Sequence, residues 1–194
     1  PGSKSTISDL GFLRDQGWDI DIRAHLRRGG VVMGLCGGYQ MLGMRLDDPD
    51  GVEGAAGSVA GLGHLDVETV LAGDKTLTRV SARAVRPDAP VTGYEIHMGR
   101  TGGADCERPF LRIDGRPEGA VSADGAVIGS YLHGIFADDV FRRAFLDDLA
   151  TRRGRSGRFG VVDFEARVDD VLDDLAAHMA QNLDLDRLGK IAGL

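Results

Sequence analysis

The sequence of 194 residues has only two cysteines, Cys36 and Cys106, and lacks any apolar stretch long enough to cross a bilayer. The cysteines form no CxxC pair and no cluster with metal-ligand spacing, so no metal site and no disulfide framework is predicted. One bridge between them stays an open alternative, which the absence of an export signal disfavours, because cytosolic thiols are kept reduced. We therefore expect a cytoplasmic protein without a membrane segment.

Positive charge is also scarce. Lysine and arginine number 23 against 30 aspartates and glutamates, and the formal net charge is −7. This balance argues against nucleic acid or an anionic membrane as a partner. The hydrophobic share of 42% and the charged share of 27% are typical of a globular domain.

Hydrophobic periodicity predicts an α/β fold with a mainly parallel central sheet flanked by helices. Residues 5–30 indicate two short helices broken around Gly17. The apolar run 31–35 predicts a strand buried on both faces, and residues 37–46 predict a helix after it. The glycine-rich segment 47–63 is predicted to be loop.

The second half of the chain predicts an additional antiparallel segment followed by helices. Alternating residues between 65 and 132 indicate strands. An amphipathic helix follows, with one apolar side made by Val140, Phe141, Ala144, Phe145 and Leu149. We expect one domain, residues 1–194, with a catalytic core in about 1–150 and C-terminal helices in 161–188.

The pattern Gly34-Leu35-Cys36-Gly37-Gly38 lies between the predicted strand and helix. It is the thiol counterpart of the G-x-S-x-G nucleophile elbow, whose tight turn needs small residues two positions before and after the nucleophile. Placement in the first turn of a helix favours the thiolate form of the cysteine, and the free backbone N–H groups of that turn can stabilise an oxyanion. A buried structural cysteine is the alternative, and the surrounding glycines favour a nucleophile.

A cysteine nucleophile also needs an acid or base for the leaving group. Among five histidines, His133 in "GSYLHGIF" is the best candidate, because it ends an apolar strand and active sites of open α/β sheets gather at strand ends. A structural histidine at a strand terminus is the alternative.

Five segments, "PGSKST", "GLCGGYQMLG", "DPDGVEG", "GYEIHMGRT" and "GSYLHGIF", strongly resemble the glutamine amidotransferase domain of cobyric acid synthases. The resemblance covers essentially the whole chain and identifies it with the cobalamin-pathway branch of the triad-type glutaminases. It implies a flavodoxin-like glutaminase fold and hydrolysis of glutamine through a cysteinyl thioester. The ammonia would serve a missing N-terminal synthetase domain, which uses ATP and Mg to amidate the b, d, e and g side-chain carboxylates of adenosylcobyrinic acid a,c-diamide.

The resemblance also assigns roles to residues. It implies that Cys36 is the nucleophile, that His133 is its acid/base, and that Gln40 contacts the substrate glutamine. The "PGS" turn resembles the loop whose backbone N–H joins that of Gly37 in the oxyanion hole, so Gly2 is the candidate there.

One departure from the family pattern concerns the third triad member. Triad-type glutaminases usually carry His-x-Glu, whereas Ile135 stands two residues after His133. This fits the cobalamin-pathway branch, and it leaves Glu95 or a backbone carbonyl as the group that orients the imidazole. Without that carboxylate the tautomer of His133 would be poorly fixed and the rate of hydrolysis lower. The domain would then depend on its partner domain for full activity.

Glu95 and His97 fall on the same side of a predicted strand. They could bind a metal or relay protons, but without a third ligand we favour residues that line the glutamine pocket or the domain interface. "GSKST" lacks the spaced glycines and the preceding strand of a Walker motif, so no cofactor is expected in this domain.

Three other functions share the elbow. A glutaminase for another ligase, such as one that amidates a cell-wall precursor, would differ in its partner. A cysteine peptidase of similar fold would use the same Cys36 and His133 and cleave peptides. A non-catalytic glutamine-binding module is compatible with the missing glutamate.

Overall fold

The computed structural model describes residues 1–73, 76–155, 160 and 163–193, apart from the side chains of Thr76 and His97. The helices are α1 (Thr6–Asp15), α2 (Trp18–Arg27), α3 (Gly37–Leu42), α4 (Asp139–Arg152), α5 (Phe164–Asn182) and α6 (Leu185–Ala192), with a 3-10 turn at Ala104–Glu107. The strands are β1 (Val32–Leu35), β2 (Arg45–Asp48), β3 (Gly57–Ala60), β4 (Glu68–Val70), β5 (Thr76–Ala84), β6 (Ala89–His97), β7 (Arg100–Gly102), β8 (Leu111–Ile113), β9 (Arg116–Glu118), β10 (Ala120–Val121), β11 (Val127–Ser130) and β12 (Leu132–His133). Residues 1–159 form one compact unit and residues 160–194 form a second.

The strands form three sheets, ordered β1-β11-β10, β12-β6-β5-β8-β9 and β3-β2-β4-β7. Pairing is parallel between β1 and β11 and between β2 and β4, and the other pairs in the described chain are antiparallel. The predicted α/β class and the antiparallel segment are confirmed, and the parallel part is smaller than the sequence indicated.

The chain changes sheets between β11 and β12. Strand β11 ends at Ser130 in the three-stranded sheet, and β12 begins two residues later in the five-stranded sheet. Because β1 is the parallel neighbour of β11, the turn after β1 lies beside this sheet change. Cys36 and His133 are thereby brought to the same place from distant parts of the sequence.

Several local predictions needed correction. The helix predicted over 37–46 ends at Leu42, and β2 begins at Arg45. Between them Gly43 packs closely on the next segment, because a Cβ there would lie 2.7 Å from the Val67 carbonyl oxygen. The segment 47–63 is not all loop, because β3 pairs with β2 across it. In β1 only Gly34 is buried, since this strand lies at the end of its sheet in the described chain.

The helices at the two ends of the first unit follow the sequence closely. Gly17 breaks α1 from α2 with a φ of 73°, a value that favours glycine. Asp138 caps α4 by accepting the Phe141 N–H at 3.0 Å, and it also accepts the Thr92 N–H of β6. Val140 was expected on the apolar side, but it is 60% exposed.

The largest core cluster contains Phe110, Phe141 and Phe145 packed against β6, β8 and β11. Phe110 and Phe141 are almost fully buried, with edge-on rings 6.1 Å apart. This core lies behind the strands whose ends carry the site. In the second unit, α5 and α6 carry exposed apolar side chains, and α6 extends to Ala192, beyond the expected limit at 188. No described helix is long and apolar enough to span a membrane.

Candidate functional site

Cys36 occupies a strained turn between β1 and α3. Its φ of 54° and ψ of −114° lie in a region that residues with a side chain rarely adopt. Its N–H donates to the Ser130 carbonyl oxygen at 2.8 Å, which extends the β1–β11 pairing to the nucleophile position. A Cβ on Gly34 would lie 2.5 Å from the Gly38 carbonyl group, so the small residue expected before the cysteine is required sterically.

Gly34→Ala should therefore displace the elbow. The added methyl overpacks a backbone contact, which costs about 1–3 kcal/mol of unfolding free energy. An elbow shift near 1 Å should lower glutamine turnover about 10²-fold. Melting temperature and glutamate release measure the two effects. Gly11→Ala is the control, because nothing lies within 4 Å of that added methyl group, and turnover in Gly34→Ala equal to the control would contradict the steric role.

The first three residues of the chain cover the elbow. Gly38 N–H donates to the Pro1 carbonyl oxygen at 3.0 Å. A Cβ on Gly37 would lie 2.9 Å from the Ser3 backbone nitrogen, and one on Gly2 would lie 3.1 Å from His133 Cε1 and 3.8 Å from Cys36 Sγ. The backbone of Gly2 is therefore next to both reactive side chains, and a side chain at this position would crowd the His133 ring.

The imidazole of His133 is held by two contacts. Nε2 lies 3.2 Å from the Ile96 carbonyl oxygen, and the ring stacks on Tyr94 with centroids 5.2 Å apart and planes 13° apart. Since a carbonyl oxygen only accepts hydrogen bonds, Nε2 carries a proton in this geometry. The Cys36 thiol donates to the same oxygen at 3.5 Å, so the thiol and the imidazole converge on one atom.

The backbone carbonyl, not Glu95, contacts the imidazole. The carboxylate of Glu95 accepts two hydrogen bonds from Arg116, at 2.9 and 3.2 Å. Ile135, where other triad-type enzymes carry the glutamate, is fully buried in the phenylalanine cluster. A carboxylate at position 135 would lie in an apolar core, which is costly.

Gln40 is buried in a polar network one helical turn beyond Cys36. Its Nε2 donates to the Met98 carbonyl oxygen at 3.1 Å and to the Tyr131 hydroxyl at 3.2 Å. Its Oε1 accepts from the Thr6 hydroxyl at 3.3 Å, and that hydroxyl also donates to Glu53 at 3.0 Å. The network joins the segments "PGSKST", "DPDGVEG" and "GYEIHMGRT" around the elbow.

A cavity of about 360 Å³ adjoins this network and is lined by Tyr39, Glu95, Thr101, Glu118 and Tyr131 among others. A larger cavity of about 620 Å³ is lined by Arg86, Phe110 and Arg152 and contains none of the predicted site residues. The smaller cavity is lined by Tyr131, whose hydroxyl accepts a hydrogen bond from Gln40.

The sequence analysis missed the buried residues behind the elbow. Glu118 is 5% exposed, and its carboxylate accepts from the Ser130 hydroxyl at 2.9 Å and from the Tyr131 N–H at 2.6 Å. Burial raises its pKa to about 7, against the lowering effect of those hydrogen bonds. In the sequence, "RPEGA" is typical of an exposed turn, and no local signal marks this glutamate as buried.

The remaining predicted site residue is His97, whose backbone belongs to β6 but whose side chain lies outside the described part of the structure. Among the described side chains, no group of three histidines, cysteines or carboxylates is placed to bind a metal ion. Neither Cys36 nor Cys106 is in a disulfide. Cys106 instead contacts the Tyr39 hydroxyl at 3.8 Å.

Comparison with known proteins finds relatives over almost the whole chain. A family profile described as the CobB/CobQ-like glutamine amidotransferase domain matches residues 1–141. Cobyric acid synthase of Ruegeria sp. (strain TM1040) is 59% identical over 192 residues, and that of Cereibacter sphaeroides is 57% identical over 192 residues. Each match covers 99% of this chain, which spans 38% and 39% of the two relatives. A solved structure titled "Crystal structure of glutamine amidotransferase" aligns with a TM-score of 0.54 over 78% of this chain and 77% of its own, at 18% identity, which supports the fold.

Proposed function

This chain belongs to the CobB/CobQ-like glutamine amidotransferase family, and from that premise we propose that it hydrolyses glutamine through a thioester on Cys36. The observation that carries the proposal is the convergence of Cys36 Sγ and His133 Nε2 on the Ile96 carbonyl oxygen, at 3.5 and 3.2 Å. Gly2 lies against both side chains, where a small backbone segment can contact the reacting amide. Nucleophile and acid thus meet at one point of the surface, as acyl transfer requires.

The reaction then has two halves. The Cys36 thiol first gives its proton to the imidazole of His133, which forms a thiolate and an imidazolium. The thiolate attacks the side-chain amide carbon, and the carbonyl oxygen becomes an oxyanion next to the backbone of Gly2 and Gly37. As the C–N bond breaks, the proton on His133 Nε2 passes to the leaving nitrogen, which departs as ammonia. Water then attacks the thioester with the imidazole as base, releasing glutamate and restoring the thiol. The side-chain amide of Gln40 donates to Met98 and Tyr131, so a contact between this amide and substrate glutamine, which we propose from the resemblance, would have to replace one of these bonds.

For the protein as a whole, we propose that the ammonia amidates a corrinoid carboxylate, as the sequence resemblance implies and in keeping with the cobyric acid synthases among its relatives. The synthetase activity, with ATP and Mg, would reside in a part of the protein outside this chain, which spans 38% of such a relative. Free ammonia is mostly protonated at neutral pH and then cannot attack an activated acid, so direct delivery between domains would keep it reactive. The proposed compartment is the cytoplasm.

The segment "GSKST" supports the absence of a nucleotide site in this domain. Ser5 N–H donates to the Ser3 hydroxyl oxygen at 2.9 Å, and Thr6 begins α1 with its hydroxyl bonded to Glu53. These backbone and side-chain groups are engaged with the elbow and with α1, and they are not arranged as a phosphate cradle.

Covalent labelling with a diazoketone analogue of glutamine tests the proposal in the full-length protein. We expect selective alkylation of Cys36 that excess glutamine prevents, measured by peptide mass spectrometry. Cys106 is the internal control, because burial raises the pKa of its thiol and disfavours the reactive thiolate. Glutamine binding without labelling of Cys36 would favour a binding module, and cleavage of casein without glutamine turnover would favour a peptidase.

A further inference from the structure

We propose that Glu118 is a positioning residue that sets the distance between Cys36 and His133 by fixing the sheet change between β11 and β12. The inference deepens the proposed function and rests on it. It depends on three observations: where the chain changes sheets, what holds the two reactive residues, and how the glutamate is bound.

At the sheet change, the backbone N–H groups of Tyr131 and Leu132 are satisfied by side chains. The Tyr131 N–H donates to Glu118 Oε1 at 2.6 Å, and the Leu132 N–H donates to the Ser130 hydroxyl at 3.1 Å. That hydroxyl in turn donates to Glu118 Oε2 at 2.9 Å. One carboxylate therefore holds both N–H groups, the first directly and the second through Ser130.

Both reactive residues are attached to this short segment. The Ser130 carbonyl oxygen accepts the Cys36 N–H at 2.8 Å, which holds the strained turn. His133 follows three residues later and pairs with Tyr94 in the other sheet. A change in the path of residues 130–132 would move Cys36 and His133 relative to each other, because each is tied to a different sheet.

The backbone anchoring and the side-chain burial of Glu118 suit a positioning role. It lies on β9, which pairs with β8, so its backbone is anchored in the five-stranded sheet. Its side chain is buried, while the charges that act on it come from Glu95 of β6, which raises its pKa, and Arg116 of its own strand, which lowers it. With a pKa of about 7, the group is about half ionised near neutral pH, and glutamine has the shape of its neutral form.

The test compares Glu118→Ala with Glu118→Gln in the full-length protein, by steady-state glutamate release. We expect Glu118→Ala to lower kcat about 10²-fold with a much smaller change in KM, because the reactive pair separates while the contacts of Gln40 with Met98 and Thr6 remain. Glu118→Gln keeps an acceptor for the Tyr131 N–H and should recover most of kcat. If the alanine variant does not fold, the glutamine variant and Ser130→Ala carry the test, and Ser130→Ala should also lose kcat more than it changes KM.

Asp105→Ala is the matched control. Asp105 is also 5% exposed, and its carboxylate accepts a backbone N–H, that of Asp66, at 2.8 Å, but it lies away from the sheet change. We expect it to lower the melting temperature without lowering kcat per folded molecule. Equal loss of kcat in this control, or no recovery in Glu118→Gln, would overturn the role of Glu118. Absence of glutamate release by the wild-type protein would instead overturn the proposed function itself.

Discussion

Cys36→Ser should abolish glutamine-dependent amidation in the full-length protein and leave amidation from added ammonium intact. Serine fits the same strained turn, but its hydroxyl is a far weaker nucleophile than a thiolate, so glutamate release should fall by about 10⁴-fold or more. The ammonium-dependent reaction bypasses the thioester. The two rates are measured side by side on the same preparation, with glutamine and with an ammonium salt as nitrogen source.

Cys106→Ser is the control for this prediction. Cys106 lies beside the Tyr39 hydroxyl, outside the elbow. The glutamine-dependent activity of Cys106→Ser should therefore stay close to wild type. Retention of glutamine-dependent activity in Cys36→Ser would exclude the thioester. Loss of both activities, in a variant whose circular dichroism and melting temperature match wild type, would show that Cys36 does not act in glutamine hydrolysis alone.

His133→Ala should be the second large effect. Removing the Nε2 proton beside the thiol leaves the departing nitrogen without an acid, and such proton transfers contribute about 10²–10⁴-fold to a rate. We expect kcat for glutamate release to fall within that range while ammonium-dependent amidation persists. Mass spectrometry of protein quenched during turnover then shows which half of the reaction is slowed more, because the imidazole acts in both the formation and the hydrolysis of the γ-glutamyl thioester.

A histidine in the second unit provides the matched control. His178 is exposed on α5, and His178→Ala should leave both activities unchanged. A His133→Ala variant with wild-type kcat would mean that another group protonates the leaving nitrogen. Loss of the ammonium-dependent rate as well would show that the substitution acts beyond this domain.

The sequence predicted the elbow well because its cause is local. A Cβ on Gly34 would meet the Gly38 carbonyl group four residues later, and such a local contact leaves a spacing pattern in the chain, whereas Gly38 itself is constrained by the distant Pro1. Gly17 separated α1 from α2 for a similarly local reason, a positive φ. The α/β class followed from periodicity, which tracks burial along one element.

The rest of the site could not be predicted because its contacts are distant in sequence. The carbonyl that contacts His133 belongs to Ile96. Every residue has a backbone carbonyl, so the residue type does not show which one makes this contact. Glu95 has the right residue type to orient an imidazole, but Arg116 from another strand binds it. The burial of Glu118 depends on β9 lying over the sheet change, which is a property of the assembled sheets.

The parallel pairing of β1 with β11 also bears on how the protein reaches its fold. Residues 32–35 align with residues 127–130, so the Ser130 carbonyl that holds the strained Cys36 comes from a late part of the unit. Closing the loop between distant residues costs conformational entropy before their contacts can stabilise the fold, so such contacts slow folding. During synthesis the thiol therefore emerges well before the strand that shapes it. The Cys36 turn therefore gains the hydrogen bond to Ser130 only after a loop of more than 90 residues has closed.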